Sequence, residues 1–275
     1  MEKYRYRPIR FYLLVFGLTW LFWFLSIAIK DNDMAMGLMT LGLFVPAVTA
    51  VFTVLCSKSR ALKRDLKNKI VGFYRIKPGI VLGSIVLFGA IVAVSILLST
   101  LFGESLDQFS FTGGFSFSLR GMSGLLIILL ASVIEEVGWR GYGEDSIAEY
   151  CSWFRESILF GCIWALWHLP LFFIEGTYQA GLVQLGTGHA INFLLSVVPL
   201  GFITTWVYVK NNRSMLACII FHLFVNFSQE KIAMTPETKC VQTAVIVLAA
   251  VIIVLTNRKM FFETKHIGNL LGENA

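Results

Sequence analysis

Six side chains able to do chemistry stand inside otherwise apolar stretches of this 275-residue chain: Glu135, Glu136, Arg140, His168, His222 and Asn226. A carboxylate and an imidazole that share a water can act first as general base and then as general acid. A His/Asn pair can donate hydrogen bonds to an oxyanion, an effect that counts for more where water is excluded. No Ser or Cys is convincingly paired with a base, since Cys162 stands six residues before His168 and off its face. Peptide hydrolysis by activated water therefore suits the set better than covalent catalysis. Glu135, His168 and His222 could also hold zinc with one position open. The H-E-x-x-H pattern is absent, so no cofactor is favoured and zinc is the weaker version.

Spacing groups these residues. Glu136 and Arg140 are i,i+4 neighbours, suited to an ion pair, whereas Glu135 is turned about 100° away and freer for another task. Trp164 lies four residues before His168 and covers the same face, and Pro170 is expected to bend the chain just beyond. His222 and Asn226 form another i,i+4 pair. Taken singly, each has a plain explanation: the inner end of a span, a packed histidine, or polar glue between helices. Taken together, two Glu and one Arg in one span cost ~8–10 kcal/mol, less what an ion pair or a shallow position returns. The depths of Glu135, His168 and His222 differ by only ~5 Å at 1.5 Å per residue. One buried polar site could hold them all.

The elements that must position such a site are membrane spans. The chain is 56% hydrophobic and 15% charged, with a mean hydropathy of +0.72, against about 25% charged in soluble domains. Charge-free runs at 11–29, 34–56 and 80–103 are each close to the roughly 20 residues that cross a bilayer. Less uniform spans follow at 121–142, 157–174, 189–209, 214–229 and 240–256. The expected architecture is all-α and polytopic, with about eight transmembrane helices in one membrane domain, 1–275, whose motif-bearing core is 121–229. The first span is read as retained, because no A-x-A cleavage site follows it.

The net charge of +6 is assigned to topology and not to nucleic acid. Basic residues crowd the N-terminal segment (Lys3, Arg5, Arg7, Arg10) and the loop from Lys58 to Lys77, which includes Lys69. They continue at Arg155, Lys210, Arg213, Arg258, Lys259 and Lys265. Only Lys30, Arg120, Lys231 and Lys239 fall on the opposite side. Both termini are therefore expected in the cytoplasm. The 57–78 loop is read as resting on the leaflet, with membrane lipids as its partners. The cysteines show neither CxxC spacing nor an even count, so no disulfide framework or zinc motif is expected. His189 and His266 receive no role.

Glu135-Glu136-x-x-x-Arg140, Trp164-x-x-x-His168-Leu-Pro and His222-x-x-x-Asn226 resemble the CPBP family of membrane proteins. That family comprises the type II CAAX prenyl endopeptidases and related bacteriocin-processing and immunity-type (Abi-like) proteins. The resemblance implies an intramembrane endopeptidase acting near the C-terminus of a membrane-associated or lipidated protein substrate. It implies that Glu135 and His168 activate water, that His222 and Asn226 form an oxyanion hole, and that Glu136 and Arg140 hold the site together. Trp164 stands where the family often has Phe. A non-catalytic immunity factor or scaffold using the same pocket is the alternative. A transporter ranks last, because no internal repeat is visible. The expected location is a prokaryotic cell membrane.

Overall fold

Apolar runs must satisfy their own backbone in lipid, which a helix does internally. A computed structural model describes residues 4–29, 31–115 and 123–263. Among them every regular element is helical, apart from an isolated bridge between Phe111 and Ile232. The α-helices are α1 (Pro8–Ala28), α2 (Asn32–Cys56), α3 (Arg60–Val71), α4 (Pro78–Ser99), α5 (Gly124–Gly138), α6 (Glu144–Ala148), α7 (Trp153–Trp167), α8 (Tyr178–Leu185), α9 (Thr187–Lys210), α10 (Met215–Lys231) and α11 (Pro236–Thr256).

The starts of these helices are written in the sequence. Pro8, Pro78 and Pro236 stand in their first turns, where a missing N–H costs nothing. Asp31, Ser123, Ser152, Ser214 and Thr235 cap their helices by accepting a first-turn amide.

Among the described residues six helices are long and apolar enough to cross a membrane: α1, α2, α4 extended to Phe102, α7 extended to Phe173, α9 and α11. The helices bearing the first and third motifs are shorter, with 15 residues in α5 and 17 in α10. The fifth expected span, 157–174, is not one α-helix. It ends at Trp167, His168 is its C-cap, and Leu169–Phe173 continues as a 3-10 turn. Pro170 supplies the reason, since it lacks an amide proton and disfavours helix in the residue before it.

Packing brings the motif helices together. α2 lies against α1 and α5, α10 against α5 and α4, and α7 against α9, with α11 bridging α9 and α4. Two close approaches need glycine. A Cβ on Gly138 would come within 2.5 Å of Pro46 in α2, and one on Gly161 within 2.8 Å of the Val198 backbone in α9. Small residues let helices approach this closely, and Gly138 fixes α5 one turn beyond Glu135. A cavity of about 910 Å³ at the start of α1 is lined by Arg5, Arg7, Arg10, Leu13 and Tyr150, with no motif residue in its wall.

Lys69 and Arg213, counted above among the leaflet charges, are instead buried in ion pairs. Lys3, Lys30, Arg120, Lys265 and His266 lie outside the described residues, as does the start of the expected fourth span.

Candidate active site

The last turns of α5 carry Glu135 and Glu136 into the interior, where both are buried. Glu135 is not left free as its angular position suggests. The Trp164 indole N–H donates to its Oε2 at 2.8 Å. The same residue's backbone carbonyl lies 2.7 Å from His168 Nδ1. A carbonyl only accepts, so Nδ1 holds the proton and Nε2 of the neutral ring keeps its lone pair. Glu135 also acts electrostatically on both His168 and His222. Trp167 and Phe193 pack edge-on against the His168 ring at centroid distances of 4.9 and 5.4 Å.

Glu136 faces the other way. Its Oε1 lies 2.8 Å from His222 Nδ1 and accepts from Arg140 Nη1 at 3.1 Å. Its Oε2 lies 3.1 Å from Arg140 Nε, within ion-pair distance although not in hydrogen-bond geometry. The i,i+4 ion pair expected from spacing is therefore present. Asn226, half-buried, donates to Ser132 Oγ at 3.3 Å and not to His222. The Trp164 and His222 rings meet edge to face at 5.6 Å. Three motifs on α5, α7 and α10 are thus joined through two bridges, Trp164 and Glu136.

Beyond Gly138 the helix winds as a π-turn, Trp139–Gly143, a form common at functional sites. The Arg140 carbonyl is taken from outside the helix, by Lys69 Nζ at 2.9 Å and the Tyr208 hydroxyl at 3.3 Å. Arg140 is fully buried. Its Nη2 lies 3.2 Å from Glu144 Oε1, and its guanidinium sits 4.9 Å from the Phe160 ring. Thr205 Oγ1 lies 3.3 Å from Glu144 Oε1 and 3.2 Å from Glu156 Oε2.

A second buried ion-pair network borders the π-turn outside the spans. Asp145 pairs with Lys69 and Arg213, and Asp65 pairs with Lys69, Arg213 and Arg75. Burial pushes the Asp65 carboxyl up, but Lys69 and Arg213 outweigh it and hold it well below the usual carboxylate range. Burial likewise opposes charge on Arg213, yet Asp145 leads the groups that raise its pKa.

Spacing alone did not single out Glu144, Glu156, Thr205, Asp145 or Lys69. Two steps of four, from Arg140 to Glu144 and from Asp65 to Lys69, are the signals that could have found two of them. His189, given no role, lies 3.8 Å from Glu237. Among the described residues no three His, Cys, Asp or Glu side chains are grouped to hold a metal ion. Glu135, His168 and His222 therefore do not form a ligand set as arranged.

Residues 117–228 match the sequence model described as type II CAAX prenyl endopeptidase Rce1-like. A relative named CAAX prenyl protease 2, from Methanococcus maripaludis, is 39% identical over 267 residues, covering 96% of this chain and 98% of its own length. With that near-complete match, the chain belongs to the Rce1-like type II CAAX prenyl endopeptidase family and is a membrane-embedded peptidase.

Proposed function

We propose that the chain hydrolyses a peptide bond near the C-terminus of a prenylated or otherwise lipidated protein, using water activated by Glu135 and His168 without a metal. The observation that carries this reading is the double bridge at Trp164, whose indole holds the Glu135 carboxylate and whose backbone carbonyl holds the His168 ring at Nδ1, leaving His168 Nε2 as an acceptor. A water between Glu135 and Nε2 gives up its proton as it attacks the carbonyl. The same pair returns a proton to the leaving amine.

His222, whose Nδ1 faces the Glu136 carboxylate, is suited to carry a positive charge and to donate from Nε2 to the developing oxyanion. Asn226 completes that hole by turning from Ser132 when substrate binds. Glu136 and Arg140 are site-supporting. Both termini lie in the cytoplasm, on the side where lipidated C-termini are presented, and the membrane is a prokaryotic cell membrane.

The test is hydrolysis of a fluorogenic farnesylated CAAX peptide by detergent-purified protein, wild type beside Glu135→Gln. The amide keeps the shape and most hydrogen bonds but removes the base. Loss of at least about a hundredfold in kcat, with a normal melting temperature, is the expected result for a general base. Equal rates would overturn the role of Glu135. A chelator that abolishes wild-type activity would overturn the metal-free reading.

A further inference from the structure

Behind Arg140 lies a group of polar atoms that the proposed reaction does not use. Thr205 is fully buried in α9, and its hydroxyl is within 3.3 Å of two carboxyl oxygens, Glu144 Oε1 and Glu156 Oε2. A threonine hydroxyl has one proton to give. It can donate to one of these oxygens, and toward the other it presents only a lone pair. Two lone pairs facing each other at this distance repel unless the second carboxyl carries a proton of its own.

Which carboxyl holds that proton follows from its neighbours. Glu144 Oε1 lies 3.2 Å from the Arg140 guanidinium, so of the two carboxyls Glu144 is the one whose anion has a direct cationic partner. Glu156 is fully buried and has no cation as a direct ion-pair partner among the described residues. Its second oxygen, Oε1, has no hydrogen-bond donor among the described residues. Arg140 is close enough to act on it electrostatically, but its guanidinium already serves Glu136 and Glu144. An anion so placed bears the full cost of a buried, unpaired charge, while a carboxylic acid does not.

We propose that Glu156 is held as a neutral carboxylic acid whose O–H donates to Thr205, and that Thr205 in turn donates to Glu144, making Glu156 and Thr205 positioning residues for Arg140. The chain of contacts runs from Glu156 through Thr205, Glu144, Arg140 and Glu136 to His222. Every link is between 2.8 and 3.3 Å. Glu144 would otherwise be free to turn, and Arg140 would lose the contact that aims it at Glu136. The protonation state stands on the geometry alone. Only the catalytic arm rests on the roles given above to Glu136, Arg140 and His222.

The full-length protein in detergent tests both halves. Infrared spectra at neutral pH, wild type minus Glu156→Gln, should contain a deuterium-sensitive C=O band of a protonated carboxyl group. Absence of that band from the difference spectrum overturns the neutral acid, whether or not any peptide is cleaved. In the peptidase assay, Thr205→Val should lower kcat about tenfold with KM unchanged, and Thr205→Ser should recover most of it. Glu156→Leu should behave like Thr205→Val, with Glu156→Gln recovering activity because its amide can still donate to Thr205. A fall in melting temperature with kcat per folded molecule unchanged would show a purely structural role and overturn the positioning claim. If wild type cleaves no peptide, the infrared result still decides the protonation half, and the reading that fails is the peptidase substrate.

Discussion

Trp164 holds Glu135 with its indole N–H, at 2.8 Å, and thereby fixes the carboxylate on the same residue whose carbonyl orients His168. One side chain and its own backbone align two groups that stand on different helices. This is how a base can be prepared before substrate arrives.

Trp164→Phe isolates the indole N–H, because the ring remains and the related family motif often has Phe at this place. A hydrogen bond to a charged group contributes about 1.5–3 kcal/mol, so kcat should fall roughly ten- to a hundredfold. Melting temperature should fall too, because the same donor is lost to a buried carboxylate, so kcat is compared per folded molecule. An unchanged kcat would mean that Glu135 is held by something other than Trp164.

Arg140→Ala would leave Glu136 and Glu144 buried without their shared cation. Breaking a buried pair by removing one partner costs about 3–5 kcal/mol, so thermal unfolding in detergent should shift down and activity should vanish. Arg140→Lys should recover only part of it, since an ammonium keeps the charge but lacks the planar, extended set of donors that reaches both Glu136 and Glu144. Full rescue by lysine would show that charge alone suffices.

Lys69→Met should weaken the π-turn. The variant removes the donor to the Arg140 carbonyl and one partner of Asp145, and leaving such groups unsatisfied costs about 1–3 kcal/mol or more. A fall in the melting temperature together with kcat is expected. A normal melting temperature would mean that Tyr208 and Arg213 are sufficient partners.

Asp65 sets a pH dependence whose sign follows from its depressed pKa. Its contribution is complete above the unfolded value of about 3.9 and is lost as pH falls through the lower folded value. Asp65→Asn should therefore melt below wild type at pH 7, and the gap should narrow only below about pH 4. A gap that closes already between pH 7 and 5 would mean that Asp65 is not held ionised by Lys69 and Arg213.

The motif residues were legible because polarity inside an apolar run is conspicuous and because steps of four mark one helix face. That was enough to pair Glu136 with Arg140. The relation between Glu135 and Trp164 was not legible, since it joins residues 29 apart and uses an indole that reads as packing. Glu144, Glu156 and Thr205 stand near span ends, where polar residues normally meet water, and their contacts cross 61 and 49 residues of sequence. Lys69 and Arg213 read as leaflet charges for the same reason. Only the folded arrangement of α3, α6 and the turn after α9 removes them from solvent.

The 17 residues of α10 rise about 25 Å, less than the ~30 Å of a typical hydrocarbon core. Only Ile220 of its residues is exposed, and α4, α5 and α9 pack around it, so protein and not lipid surrounds this helix. The polar surface can dip inward over its ends, and the barrier that a water molecule or a peptide tail crosses to reach His222 is then thinner than the surrounding membrane. Bilayers of longer acyl chains should therefore slow this enzyme by burying its entrance.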